Sequence, residues 1–298
     1  MPESNPQTRL MRGALYGLTA AAIWGGMYVV SDVVLEVIPP FTLLALRLLL
    51  GLAVLLPVFW RSGLTQPGWS STRQVLGVGL VGFGISLGAQ FVGTDLSNAV
   101  NGSLITSASP AFIVLFAVLI LRERLTARRL LAVAVATVGV LVILDPTEAD
   151  FGSATFTGDL SLAVAALTWG LYSVLVRQVT HRHDLDTLIV TIGAFSGGLL
   201  LTLPTAAVEL TQSPIGEIDL GIVLGVLYLG IVSTAVAMWL WNRAFALVDA
   251  SVASLFFFAQ PFTGVLLGVL LLDQPMTAGL WIGGVLIGVG VLLSLGRG

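Results

Sequence analysis

The chain has no cysteine and no lysine, only two histidines, and charged residues at just 10% of its 298 positions. The missing cysteine excludes disulfides, thiol catalysis and thiolate metal sites. The scarcity of charge excludes an ordinary water-soluble domain, which carries about 25% charged residues. With apolar residues at 56%, there is too little polar side chain to cover a surface, and lipid is the fitting solvent. All thirteen basic residues are arginines, and the net charge is −3, so no basic field exists to attract nucleic acid. There is no GxxxxGK phosphate loop to support an ATP-driven pump, and nothing calls for a cofactor or a metal. His181 and His183, with Asp184 and Asp186, form a cluster with metal-ligand chemistry, but a solvated cytoplasmic loop is the simpler reading.

What the chain does have is long apolar runs. A helix crosses a bilayer with about 20 mostly apolar residues. The spans expected on that basis are 13–31, 40–60, 75–94, 97–121, 126–144, 159–177, 187–208, 219–240, 248–272 and 277–295. Arg9 and Arg12 before the first run look like the start of a signal peptide. That run is long enough to span, however, and holds Trp24 and Tyr28, so it reads as a retained helix. With the N-terminus in the cytoplasm, twelve of the thirteen arginines fall inside and Arg47 lies within a span. Asp32, Glu36, Asp95, Asp145, Asp159, Glu209, Asp219 and Asp273 collect in the outer loops. One helix more or fewer would destroy this positive-inside pattern. The expectation is an all-α integral membrane protein of ten transmembrane helices with both termini cytoplasmic.

The two halves, 1–144 and 145–298, repeat each other. Gly13, Leu15, Trp24 and Gly25 recur as Gly158, Leu160, Trp169 and Gly170 at an offset of 145. Ser103-Leu104, Pro110, Leu121, Thr126 and Gly139 recur as Ser254-Leu255, Pro261, Leu272, Thr277 and Gly290 at an offset of 151. Five helices per half is an odd number, so the second repeat enters the membrane inverted. Inverted repeats build many secondary transporters, with the site near the midplane between the halves.

These residues carry a family resemblance. Trp24-Gly25, the stretch from Pro39-Pro40 to Arg47, and Pro110 through Arg122-Glu123-Arg124-Leu125-Thr126 to Gly139 resemble the drug/metabolite transporter superfamily, in particular its EamA-type bacterial members. The second half repeats the pattern from Pro261 to Gly290, departing where Gln274 stands in place of an acid. The resemblance implies five plus five helices and transport of small metabolites. The YddG-type amino-acid exporters are the subgroup it suggests.

Tryptophan ordinarily prefers the membrane interface, whereas Trp24 and Trp169 sit mid-span, with Tyr28 and Tyr172 on their faces. They suit an aromatic lining for a ring or an ammonium group, or they fill the gap beside Gly25 and Gly170. Gln90, Asn101 and Gln260 are buried amides that either bind a zwitterion or bond helix to helix. Together with Trp239 these form the expected cavity lining, placed with the help of the resemblance. Pro110 and Pro261 each remove a helical bond, at the carbonyls of Thr106 and Phe257, and suit a matched pair of gating kinks or of static ones. Arg47 is the one basic residue well inside a span; its expected partner is Asp32 or Asp95, or else a substrate carboxylate.

No carboxylate lies near the midplane, which favours a facilitative or weakly coupled carrier. Phosphorylated substrates are disfavoured, with Arg47 the lone intramembrane cation. The expected substrate is an amino acid, aromatic ones included. Drugs or other non-phosphorylated metabolites are the alternative, and an intramembrane enzyme or a membrane scaffold is the rival from another class. The expected partners are that small molecule and the bilayer. A monomer suffices, and the glycines of the last helix (Gly279, Gly283, Gly284, Gly288) also allow a dimer.

Overall fold

The computed structural model describes residues 6–96, 105–106, 108–124, 126–144, 156–263 and 278–295. Every regular element among them is helical. The first run is α1 (Pro6–Gly25) and α2 (Met27–Leu35), broken at Gly26; α3 (Pro40–Ser62) follows. The third run is α4 (Trp69–Gly79), a π-helical segment at Leu80–Ser86, and α5 (Leu87–Leu96). Then come α6 (Ser109–Leu121), α7 (Ala127–Leu144), α8 (Phe156–His183) and α9 (Thr187–Gln212). The next run repeats the third: α10 (Leu220–Leu227), a π-helical segment at Tyr228–Val236, and α11 (Ala237–Leu247). The last elements are α12 (Ala250–Phe256) and α13 (Ala278–Leu295).

Six runs among the described residues are long and apolar enough to cross a membrane: Gln7–Leu35, Pro40–Ser62, Trp69–Leu96, Phe156–His183, Thr187–Gln212 and Leu220–Leu247. Three shorter apolar helices, Ser109–Leu121, Ala250–Thr263 and Trp281–Gly290, accompany them. Residues 97–104 and 264–277, parts of the expected fourth and ninth spans, lie outside the described residues. Large apolar side chains face outward, with Leu119 65% and Leu292 68% exposed, as a lipid-facing surface requires. Trp60 and Trp69, at neighbouring helix ends, are also exposed, in the manner of an interfacial aromatic belt. The expected loop at His181 and His183 is helical instead: α8 runs through His183, and Asp184 turns the chain with a φ of 48°.

Local chemistry explains where several helices begin and end. Pro40 opens α3 in the first turn, where its missing N–H costs nothing, and Gly63 closes it with a φ of 68°. Asp186 and Asp219 cap α9 and α10, accepting from Leu188 N and Ile222 N at 2.7 and 2.8 Å.

Packing runs mainly between the N-terminal and C-terminal elements. α1 lies along α11 and α5 along α8; α3 packs on α9, and α7 on α13. The tightest crossing joins α4 to α9. A Cβ on Gly79 would lie 2.0 Å from the Ala194 carbonyl oxygen, and one on Gly197 would lie 2.0 Å from that of Leu76. Backbone meets backbone there, and backbone cannot rotate aside as a side chain can. Gly283, Gly284 and Gly290 of α13 pack within the bundle, where a Cβ on Gly139 of α7 would meet the Gly283 carbonyl oxygen at 2.7 Å, while Gly288 faces open space.

Gly197→Ala should therefore destabilise the protein by about 1–3 kcal/mol, the range for overpacking a tight site. Gly77→Ala, at a position facing open space, should be neutral. Thermal unfolding of both variants in detergent checks the pair.

Candidate functional site

A cavity lies at the centre of the bundle. Its walls are Trp24, Met27, Tyr28, Leu87, Gln90, Thr106, Ser109, Ala165, Trp169, Met238, Phe257 and Gln260. The space open to a water-sized sphere is about 20 Å³, enough for one or two waters and no metabolite.

Five of the residues expected at the site meet here: Trp24, Tyr28, Gln90, Trp169 and Gln260. Trp24 and Trp169, equivalent in the repeat, meet edge to face with centroids 5.7 Å apart. Trp241 and Phe257 extend the aromatic cluster, at 5.2 and 6.1 Å from Trp24. Trp24 donates its indole N–H to the Ser233 carbonyl at 2.9 Å. That acceptor comes from the π-helical segment, where the Ala237 N–H goes to Val232 and Thr234 and bypasses Ser233 four residues back. The Trp169 N–H, buried in the wall, has no partner. Tyr28 bonds the Thr106 hydroxyl at 3.0 Å and also interacts with Gln260.

The two prolines sit just past breaks that build this wall. Pro110 lies in the first turn of α6 rather than mid-helix. The Thr106 carbonyl, expected to be freed, accepts from Ser109 Oγ at 2.7 Å. Pro261 follows a turn at residues 257–258, and the Phe257 carbonyl accepts from Gln260 N at 3.0 Å. Both breaks are re-satisfied locally, and both turn polar groups toward the cavity.

Other expected residues lie elsewhere. Tyr172 is fully buried and donates to Asn242 Oδ1 at 3.0 Å; Asn242 in turn donates to Thr191 Oγ1 at 2.9 Å, tying α8, α11 and α9 together. Trp239 packs on Tyr16 with centroids 6.3 Å apart. Asn101 lies outside the described residues, as does the Asp32 side chain. Arg47 is fully buried and has no ion pair among the described residues, with Asp95 or any other carboxylate. Hydroxyls take the place of the expected acid: Thr234 Oγ1 accepts from Nε at 3.0 Å and Ser233 Oγ from Nη2 at 3.3 Å.

Two carboxylates hold the ends of the bundle, a use that no sequence signal announces. Glu123, turned by Arg122 at a φ of 55°, caps α12: it accepts from Ala250 N at 2.8 Å and from Ser251 N and Oγ at 3.3 and 2.7 Å. Arg129 and Arg177 bridge Glu123 to Asp249, and Arg177 also donates to the Phe245 and Val248 carbonyls. Glu209 caps α3 in the same way, accepting from Phe41 N at 3.1 Å and from Thr42 N and Oγ1 at 2.7 and 2.8 Å. Each pairs a negative charge with the positive end of a helix dipole.

A bundle of apolar helices closed around a small polar and aromatic cavity is the build of a membrane transporter, and comparison with known proteins agrees. A sequence model of the EamA-like transporter family matches residues 11–145 and again residues 156–296. The chain belongs to that family and is a multi-pass membrane transporter. It is 27% identical to an uncharacterized transporter of Archaeoglobus fulgidus, over 92% of this chain and 94% of that one. It is 27% identical to a riboflavin transporter of Vibrio cholerae, over 93% of this chain and 90% of that one. It is 31% identical to the uncharacterized transporter YyaM of Bacillus subtilis, over 74% of this chain and 72% of that one. A solved crystal structure shares the fold, with a TM-score of 0.79 at 24% identity, covering 94% of this chain and 95% of that one.

Losing the Glu123 cap should cost about 1–2 kcal/mol, or roughly 5–30-fold in an opening equilibrium. The natural absence of cysteine allows a single cysteine at Ser109 to report access to the cavity. Glu123→Ala should speed labelling of that cysteine by an impermeant maleimide. An unchanged rate would remove Glu123 from control of that end.

Proposed function

We propose that the chain is a facilitative or weakly coupled carrier that exports small metabolites, amino acids first among them and aromatic ones included, by alternating access. Its frame is ten helices in two inverted five-helix repeats, residues 1–144 and 145–298, with both termini cytoplasmic. The arginine distribution and the double family match support that frame. So do the paired π-helical segments, each preceding the last stretch of a corresponding run.

The observation that carries the reading is the central cluster, in which Trp24 and Trp169 close on each other over a wall containing Gln90, Gln260 and Tyr28. Indole faces attract both aromatic rings and ammonium groups. Amides supply donor and acceptor together, as a zwitterion requires. The breaks at Pro110 and Pro261 are the positions at which the wall changes shape. No carboxylate among the described residues lines the cavity, which favours passive or weakly coupled movement. The riboflavin transporter of Vibrio cholerae favours a second reading, an uncharged planar heteroaromatic substrate stacked between the same indoles.

Flux of a labelled amino-acid panel and of riboflavin into proteoliposomes, with and without a pH gradient, decides between them. Saturable amino-acid flux without a gradient is expected; riboflavin flux alone would select the second reading, and no flux from folded protein would overturn the carrier. Trp169→Phe should weaken transport roughly 2–10-fold, the scale of one aromatic contact, with a smaller loss of stability than Trp24→Phe, because its N–H has no partner among the described residues. Trp24→Phe loses its bond to Ser233 and should also lower the melting temperature.

For orientation, a C-terminal alkaline phosphatase fusion should be inactive and a C-terminal green fluorescent protein fusion bright. The opposite result would place the C-terminus outside.

A further inference from the structure

Arg47 stands two turns into α3 with none of its surface exposed. A guanidinium has five N–H bonds to place. The Nε bond goes to Thr234 Oγ1 at 3.0 Å. Nη2 reaches Ser233 Oγ at 3.3 Å, at the long end for an oxygen acceptor, and the Met27 sulfur, a weak acceptor, at 3.4 Å. Nη1 has no partner among the described residues. The group also lies over the Phe91 ring, 5.1 Å from its centroid. A permanently charged group, buried in a membrane protein with no counter-ion among the described residues, is a cost that packing alone gives no reason to bear.

The missing counter-charge has a route to this position. Met27 touches Arg47 and also lines the central cavity. Ser233 gives its hydroxyl to Arg47 and its carbonyl to Trp24, another wall residue. Phe91 follows Gln90, which lines the same wall. The guanidinium is thus one side chain behind the cavity. The thioether is a weak acceptor on an unbranched, freely rotating chain. Its rotation would present the Nη1–Nη2 edge to the cavity, with Nε still anchored on Thr234. That edge is the planar fork that receives a carboxylate through two parallel bonds.

We infer that Arg47 is the substrate-carboxylate site of this carrier, screened by Met27 in the closed state. The inference rests on the carrier reading and narrows it: the substrate bears one carboxylate, with its ring or ammonium at Trp24 and Trp169. A single fork suits a monoanion better than a phosphate dianion. The charge is neutralised only when substrate is present, so occlusion is more favourable loaded than empty.

The test compares phenylalanine, phenylalanine amide, phenethylamine and 3-phenylpropionate on wild type, Arg47→Gln and Arg47→Lys, by flux in proteoliposomes and by melting temperature in detergent. The wild type should move phenylalanine and be stabilised by the two carboxylates, but not by the amide or the amine. Arg47→Gln should lose that preference by about tenfold or more, as expected for a lost charge-assisted bond. Arg47→Lys keeps the charge without the fork and should raise KM more than it lowers kcat; it serves as the variant if Arg47→Gln does not accumulate. Equal losses for all four compounds, with the preference unchanged, would make Arg47 structural and overturn the inference while the carrier reading stands. Flux of none of them by the wild type would count against the amino-acid reading instead, and stabilisation by 3-phenylpropionate would still decide the role of Arg47.

Discussion

A hydrocarbon slab offers no water to a polar group, and this constraint shapes the centre of the protein. Each indole, amide and guanidinium inside the bundle has to be satisfied by another part of it or remain unsatisfied at a cost. The π-helical segment at Tyr228–Val236 answers much of that demand. Its Ser233 supplies a carbonyl to Trp24 and a hydroxyl to Arg47, and its Thr234 takes the Arg47 Nε bond while donating to the Leu229 carbonyl. An uninterrupted α-helix would return the Ser233 carbonyl to its own ladder. Of the six buried side-chain groups left without partners among the described residues, Trp169 Nε1, Trp241 Nε1 and Arg47 Nη1 lie in or beside the cavity wall, while Ser31 Oγ, Thr180 Oγ1 and Thr202 Oγ1 lie away from it.

Much of the helical frame is legible in the sequence because its punctuation is chemical. The expected 40–60 and 187–208 begin where α3 and α9 begin, at Pro40 and after the Asp186 cap. The expected ends fall short of Ser62 and Gln212, because hydropathy marks the apolar slab and a helix continues beyond it. The same effect carries α8 to His183.

The lining of the central cavity was legible in part. Trp24, Tyr28, Gln90, Trp169 and Gln260 stand out as polar or aromatic residues where apolar ones are expected, and they converge. Trp239, expected in the lining, packs on Tyr16, and Trp241 is the one buried against Trp24. A π turn adds about one residue, which rotates the rest of the helix by roughly 100°. Any face projected through 220–247 as a regular helix is therefore wrong beyond Val236. With 34 glycines in the chain, Gly82, Gly84 and Gly230 give no distinctive signal for the two π segments. The partners of Arg47 were beyond reach for another reason: the expectation of an acid follows from cost alone, while Ser233 and Thr234 lie 186 and 187 positions away.

The same constraint separates the parts of the bundle that can move from those that cannot. At Gly79 and Gly197 the α4–α9 crossing is backbone on backbone in the interior, and parting it would leave a void with nothing to fill it. Glu123 on α12 and Glu209 on α3 are different. Each joins an N-terminal element to a C-terminal one through two backbone N–H groups at a helix end. Released at an aqueous face, those N–H groups and the carboxylate find water, so the net cost of opening is that of a cap rather than of a core contact. For a carrier that opens one end at a time, the glycine crossing is the natural pivot and the two glutamate caps are the natural latches. Glu123 reaches from the first half to the second and Glu209 from the second to the first, so releasing one leaves the halves still joined by the other.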